Sequence, residues 1–289
     1  MVKKLRPIND FIFQKLFGTE ENKDLLIALL NAILRLTKND MLTDVTVIGG
    51  ARLDKERFED KTGILDVRAT TGDGVIINIE VQLANQHNMD KRTLFYWSRL
   101  FADQLKQGHD YSELKKTITI NILDFKYLES NQYHNIYHLR EDTIGHVLTD
   151  VLEIHFIELP KFCKEKPDIK DALHRWLLFL AEPKEEVLDM IEAIDGKIGK
   201  ATKVLNWLSS DPETVRLSEL REKAIWDEVS RMNGAKAEGR QEGREEGKQE
   251  GRQEEQINIA RRMLVKGLSI EQISDVTGLS VDEVQKLTS

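Results

Sequence analysis

The chain has 289 residues, 40% hydrophobic and 32% charged, with 42 basic against 50 acidic side chains and a net charge of −8. That length allows one large core or two smaller ones. The acidic balance argues against a protein that coats nucleic acid with its whole surface, though Lys3, Lys4, Arg6, Lys91, Arg92, Lys115 and Lys116 could still form a local basic rim. No apolar run nears the roughly 20 residues that span a bilayer, and no secretory h-region opens the chain, so the expectation is a cytoplasmic protein with no membrane partner. The single cysteine, Cys163, excludes an internal disulfide and is expected to pack.

Residues 8–36 predict a short helix and a longer one broken at Gly18, with Leu26, Leu29, Leu30, Ile33 and Leu34 at helical spacing. A strand is expected near Asp44 to Ile48. The stretch GILDVRATTGDGVIINIEVQ, residues 63–82, then reads as a hairpin with one acid in the middle of each strand. Strand alternation puts Ile64, Asp66 and Arg68 on one face of the first strand, and Asn78, Glu80 and Gln82 together on the second. A three-residue loop, Gly72-Asp73-Gly74, pairs Thr71 with Val75 and therefore Asp66 with Glu80. Opposed acids destabilise a sheet, and a divalent cation between them removes the conflict. A two-residue loop would part the acids, and an edge hairpin with a solvated polar face would need no metal.

After the hairpin, DKRTLFYWSRLFADQLKQG reads as an amphipathic helix ending at Gly108. Leu94, Trp97, Phe101 and Leu105 form its apolar stripe, and Arg92, Tyr96, Arg99 and Asp103 its polar one. TITINILDF, NIYHLR and EIHFIEL supply three more strands. His134 and His138, the only close histidine pair, fall in a strand and read as structural. The order predicts an α/β core of about 160 residues with a helix crossing between sheet strands. From residue 166 to 233 the pattern is helical, either an annex on the core or a separate bundle.

Residues 237–256 repeat with a period of four. Gly239, Gly243, Gly247 and Gly251 each cost a free helix about 1 kcal/mol, and Glu238, Glu242, Glu246 and Glu250 repel at i,i+4. The favoured expectation is a charged tether or a marginal helix; a helix rescued by self-association along the glycines is the alternative. Residues 257–289 carry two capping boxes, Ser269 to Gln272 and Ser280 to Glu283, with Gly267 and Gly278 stopping the preceding helices. This resembles a helix-turn-helix, although its four basic and four acidic side chains are balanced and its last helix opens on Asp282 and Glu283.

The segments NDFIFQKLFG, KDLLIALLNAIL, GILDVRA with INIEVQ, RTLFYWSRLFADQLKQGHDYSEL and the Glu-Gly-Arg repeat together resemble the bacterial recombination-promoting nuclease and transposase family of the PD-(D/E)xK superfamily, over essentially the whole chain. The resemblance implies a restriction-endonuclease-like core, a mixed sheet flanked by helices, with a helical C-terminal region. It implies a nuclease core at 1–165, a helical annex at 166–233, the repeat at 234–256 and a helix-turn-helix-like unit at 257–289. The implied activity is DNA endonuclease, with Mg²⁺ or another divalent cation held by Asp66 and Glu80. Gln82 stands where lysine is commonest in the superfamily. Asp10 matches an acid that opens the family's first helix, and from that helix Lys15 could serve as a substitute cation. Arg92, Tyr96, Arg99 and Gln104 would face DNA. The competing expectation is a catalytically silent DNA-associated or oligomerising protein that works through its terminal unit.

Overall fold

The computed structural model describes residues 4–48, 67–85, 88–108 and 110–287. Asp66, Lys3 and the first half of the predicted first hairpin strand lie outside them. The chain divides into two compact units, Met1–Val229 and Ser230–Ser289.

The first unit opens with helices α1, Asp10–Phe17, and α2, Lys23–Ile33, on either side of Gly18. Asn9, not Asp10, caps α1, accepting from the amides of Phe11 and Ile12. Strands β1, Val45–Ile48, β2, Val67–Thr71, and β3, Ile76–Gln82, follow. Helix α3, Met89–Ala102, then crosses over to β4, Thr117–Leu123, and β5, His134–Tyr137, and β6, Leu152–Glu158, complete the sheet. Strand order is β1-β2-β3-β4-β6-β5, with β3, β4 and β6 parallel and the rest antiparallel. The parallel centre explains the β-branched runs of TITINIL and EIHFIE, since such strands are covered on both faces.

The hairpin closes as the three-residue loop requires. The Thr71 amide donates to the Val75 carbonyl and the Gly74 amide to the Thr71 carbonyl, each at 3.0 Å, and Gly74 takes φ +91°, a conformation natural to glycine. Val67 therefore pairs with Ile79 and Arg68 with Asn78. The edge-hairpin expectation is overturned, because β3 is an internal strand whose polar face is buried: Asn78 is 0% and Glu80 3% exposed.

One face of the sheet, including Ile77, Ile79, Val81, Ile118, Ile120 and Ile122, joins α1 and α2 in a single core. The helices after the sheet belong to the same core: α4, Leu159–Phe162, α5, Ala172–Leu180, α6, Glu185–Ile194, and α7, Gly196–Ser210. Phe17 packs edge-on against Trp176 of α5 at 5.8 Å. The annex is thus part of the core and not a separate bundle. Cys163, expected to pack, is exposed just after α4.

Helix α8, Pro212–Val265, contributes its first turns to the first unit and the rest to the second. It includes the whole glycine-acid repeat, so the tether expectation is overturned. A helix already nucleated propagates at little cost per residue, and this one has buried anchors before the repeat, at Thr214 and Ser218, and after it, at Ala260. In the second unit α9, Ile270–Thr277, and α10, Val281–Lys286, carry both expected capping boxes. Gly278 ends α9 at φ +73°, and Ala260, Ile273, Leu279 and Val284 form a small core.

Candidate active site

The α3 side of the sheet is polar at its centre. Rows of paired residues across β3 and β4 bring Glu80 beside Asn121 and Asn78 beside Thr119, all four at most 3% exposed. This explains the orientation of α3. The expected apolar stripe is not its buried face: Leu94 is half exposed, while Met89, Thr93 and Leu100 are buried. A polar sheet surface selects partners that can bond to it. The Thr93 hydroxyl donates to Asn121 Oδ1 at 2.9 Å, and the Trp97 indole N–H donates to the Thr117 carbonyl at 2.9 Å.

Glu80 is the centre of the site. Asn78 Nδ2 donates to its Oε1 at 3.3 Å, and Arg92, on the first turn of α3, donates to its Oε2 at 3.4 Å. Burial pushes the Glu80 carboxyl up to about 7; Arg92 and Asn78 pull it down, and the charge of Asp10 pushes it further up. Asp10 therefore lies within electrostatic reach of Glu80, at the N-terminus of α1. Its Oδ2 is held by Arg221 of α8, through Nε at 2.7 Å and Nη2 at 2.6 Å.

The cations beside the acids are thus Arg92 and Arg221. Lys15, expected as a substitute cation, turns its ammonium over the Phe11 ring at 5.1 Å. Arg92 also stacks over the Tyr96 ring at 5.5 Å, and Arg99 is exposed on the same helix. Gln104 is engaged locally: its amide bonds the Lys115 backbone at both ends, at 2.8 and 3.1 Å, and the Thr117 hydroxyl at 3.0 Å, tying the end of α3 to the start of β4. Of the expected basic rim, Arg6 is committed to Glu182 and Asp124, and Lys116 to Glu153.

Asn78 and Arg221 were not singled out by sequence reasoning. Asn78 had a signal, since it stands two residues before Glu80 on the same strand face. Arg221, 211 positions from Asp10, had none. His134, His138 and His155 belong to a network of their own: His134 Nε2 meets His155 Nδ1 at 2.9 Å, and Glu153 bonds both His155 and His138. No group of three or more histidine, cysteine, aspartate or glutamate side chains converges to hold a metal among the described residues.

A mixed six-stranded sheet with a polar, acid-bearing centre under a crossover helix, and helices on its other face, is a restriction-endonuclease-like fold of the PD-(D/E)XK kind. Residues 7–235 match the family model described as PD-(D/E)XK nuclease family transposase, and the chain belongs to that family. Residues 253–289 match the C-terminal helix-turn-helix domain of the Rpn/YhgA-like nuclease family. No curated protein and no solved structure is found to match the chain. No helix among the described residues is long and apolar enough to cross a membrane.

Proposed function

We propose that this protein is a divalent-metal-dependent endonuclease that hydrolyses DNA phosphodiester bonds in recombination or transposition, in the cytoplasm. The observation that carries the reading is the Glu80 carboxylate, buried on the polar face of an internal strand with the Arg92 guanidinium at 3.4 Å, in a chain of nuclease family. A buried acid is costly unless something positive meets it.

The donors suit Mg²⁺, which takes oxygen ligands and needs only one or two carboxylates besides water and phosphate. Glu80 and Asp66 are the proposed ligands. In support, the observed pairing of Val67 with Ile79 is the register that the three-residue loop predicts. Bound there, the ion supplies a Lewis acid and lowers the pKa of an attacking water.

The chain's own residues do the rest. Gln82, two positions beyond Glu80 on the same strand face, orients the water through its amide, and Asp10, steadied by Arg221, assists. Since Gln82 is neutral, the developing charge on phosphate is met by Arg92, whose guanidinium turns from Glu80 to the substrate. Tyr96 and Arg99 extend the DNA contact along α3. Gln104 supports that contact by fixing the end of the helix.

A second reading is favoured by the helix-turn-helix match together with Gln82: a silent protein that associates with DNA, or with copies of itself, through residues 234–289. Nicking of supercoiled plasmid with Mg²⁺, with EDTA, and by Asp66→Ala and Glu80→Gln separates the two. Metal-dependent cutting lost in both variants supports the nuclease. Absence of cutting over a range of metals, or cutting indifferent to both substitutions, supports the second reading.

A further inference from the structure

Three buried polar atoms without hydrogen-bond partners among the described residues lie in one row across the sheet: Arg68 Nε on β2, Asn78 Oδ1 on β3 and Thr119 Oγ1 on β4. Arg68 pairs with Asn78, and Asn78 with Thr119, so all three side chains leave the same face. Asn78 and Thr119 are completely buried. A buried polar group left unpaired is costly, and three in one row mark a place shaped for something that bonds to it. The row is two residues from Glu80 along β3, roughly 6–7 Å.

What it fits follows from its chemistry. Arg68 brings a cation with a free N–H, Thr119 a hydroxyl, and Asn78 an acceptor whose amide N–H already goes to Glu80. The contacts of Thr93 with Asn121 and of Trp97 with Thr117 lay α3 antiparallel above β4. Tyr96, one turn beyond Arg92 on the same side, is therefore at the level of this row. Arg68 itself is only half-buried, which leaves it within reach of an anion from solvent.

We propose that this row is a second phosphate subsite beside Glu80. Arg68 binds the phosphate neighbouring the cleaved one, and Asn78 and Thr119 anchor a water that completes its hydrogen bonds. The subsite rests on the nuclease reading and adds a strand-positioning residue to it.

The test is binding of a short labelled DNA duplex to the full-length Glu80→Gln protein over a salt series, followed by fluorescence anisotropy. Arg68→Gln in that background is expected to weaken binding roughly three- to tenfold and to lower the salt slope by about one, the signature of one lost phosphate contact. Arg68→Lys keeps the slope. Thr119→Val weakens binding about two- to tenfold with the slope unchanged and melts no lower than its parent, so it decides the matter if Arg68→Gln does not fold. An Arg68→Gln protein that is folded and keeps its affinity and slope overturns the subsite, as does one that loses affinity at constant slope. If the wild type still nicks plasmid in that case, the nuclease reading stands. If no form binds or cuts DNA, both fall.

Discussion

The Arg92 guanidinium lies 3.4 Å from the carboxylate of Glu80, twelve residues away in sequence and on the other side of the strand-to-helix turn. The Arg92 side chain is partly open to solvent, at 29%, and that of Glu80 is buried. The cation thus stands at the mouth of the site and the acid at its floor. Without a ligand, Arg92 is the main charge opposing the desolvation of Glu80.

This makes stability depend on pH with a definite sign. The folded-state pKa of Glu80 is raised from 4.5 to about 7. Its contribution to stability is therefore fully present below 4.5 and is lost as pH rises through about 7. Glu80→Gln, which never ionises, is expected to melt higher than wild type at pH 8 by a few kcal/mol, at about 1.4 kcal/mol per pKa unit, and to match it at pH 4. Thermal melts at the two pH values check this; a gap that does not change with pH would contradict it. Adding Mg²⁺ at pH 8 is expected to raise the melting temperature of the wild type and not of the variant.

Arg92→Met removes the opposing charge, so the Glu80 carboxyl rises further. The alkaline shift is expected in the pH profile of plasmid cleavage, whose half-maximal point moves upward. A stability loss of about 1.5–3 kcal/mol should appear at pH 8 and fade at pH 5. Arg92→Lys restores most of both. A loss of the same size at both pH values would mean that Arg92 acts only by packing.

The hairpin register rests on Gly74, at φ +91° with Lys115 Cγ 3.1 Å from where a Cβ would stand. Gly74→Ala is expected to cost about 1–2 kcal/mol in urea unfolding and to lower cleavage through a misplaced β2. Gly72→Ala, with open space around it, is expected to cost less than about 0.5 kcal/mol.

Alanine at Gly239, Gly243, Gly247 and Gly251 meets nothing within 4 Å. Each substitution should stabilise α8 by about 0.5–1 kcal/mol. The quadruple variant is expected to hold its helical circular dichroism to higher temperature than the wild type, with plasmid nicking unchanged.

Much of this was legible from the sequence because it is decided locally. A glycine in the left-handed region, a serine three residues before a glutamine or glutamate, and a period-two run of β-branched residues specify their conformations through near neighbours. The helix break at Gly18, the hairpin loop, its register and both terminal capping boxes accordingly appear as expected. The position of Glu80 on a polar strand face beside Asn78 and Gln82 was also readable from alternation alone.

Tertiary structure decided the rest. Local energies disfavour a helix through the glycine repeat, yet α8 is continuous there, because buried anchors before and after it supply the nucleus that the repeat lacks. The buried face of α3 was misread because its apolar residues do not match the polar sheet beneath it, and the hydrogen bonds of Thr93 and Trp97 orient the helix instead. The cost of burying Glu80 exists only once β4 and α3 cover β3. The partnership of Asp10 with Arg221 exists only once the chain brings two residues 211 positions apart within hydrogen-bond distance. Burial and long-range charge pairing are properties of the packed molecule, and they turn an ordinary acid-bearing strand into a candidate site.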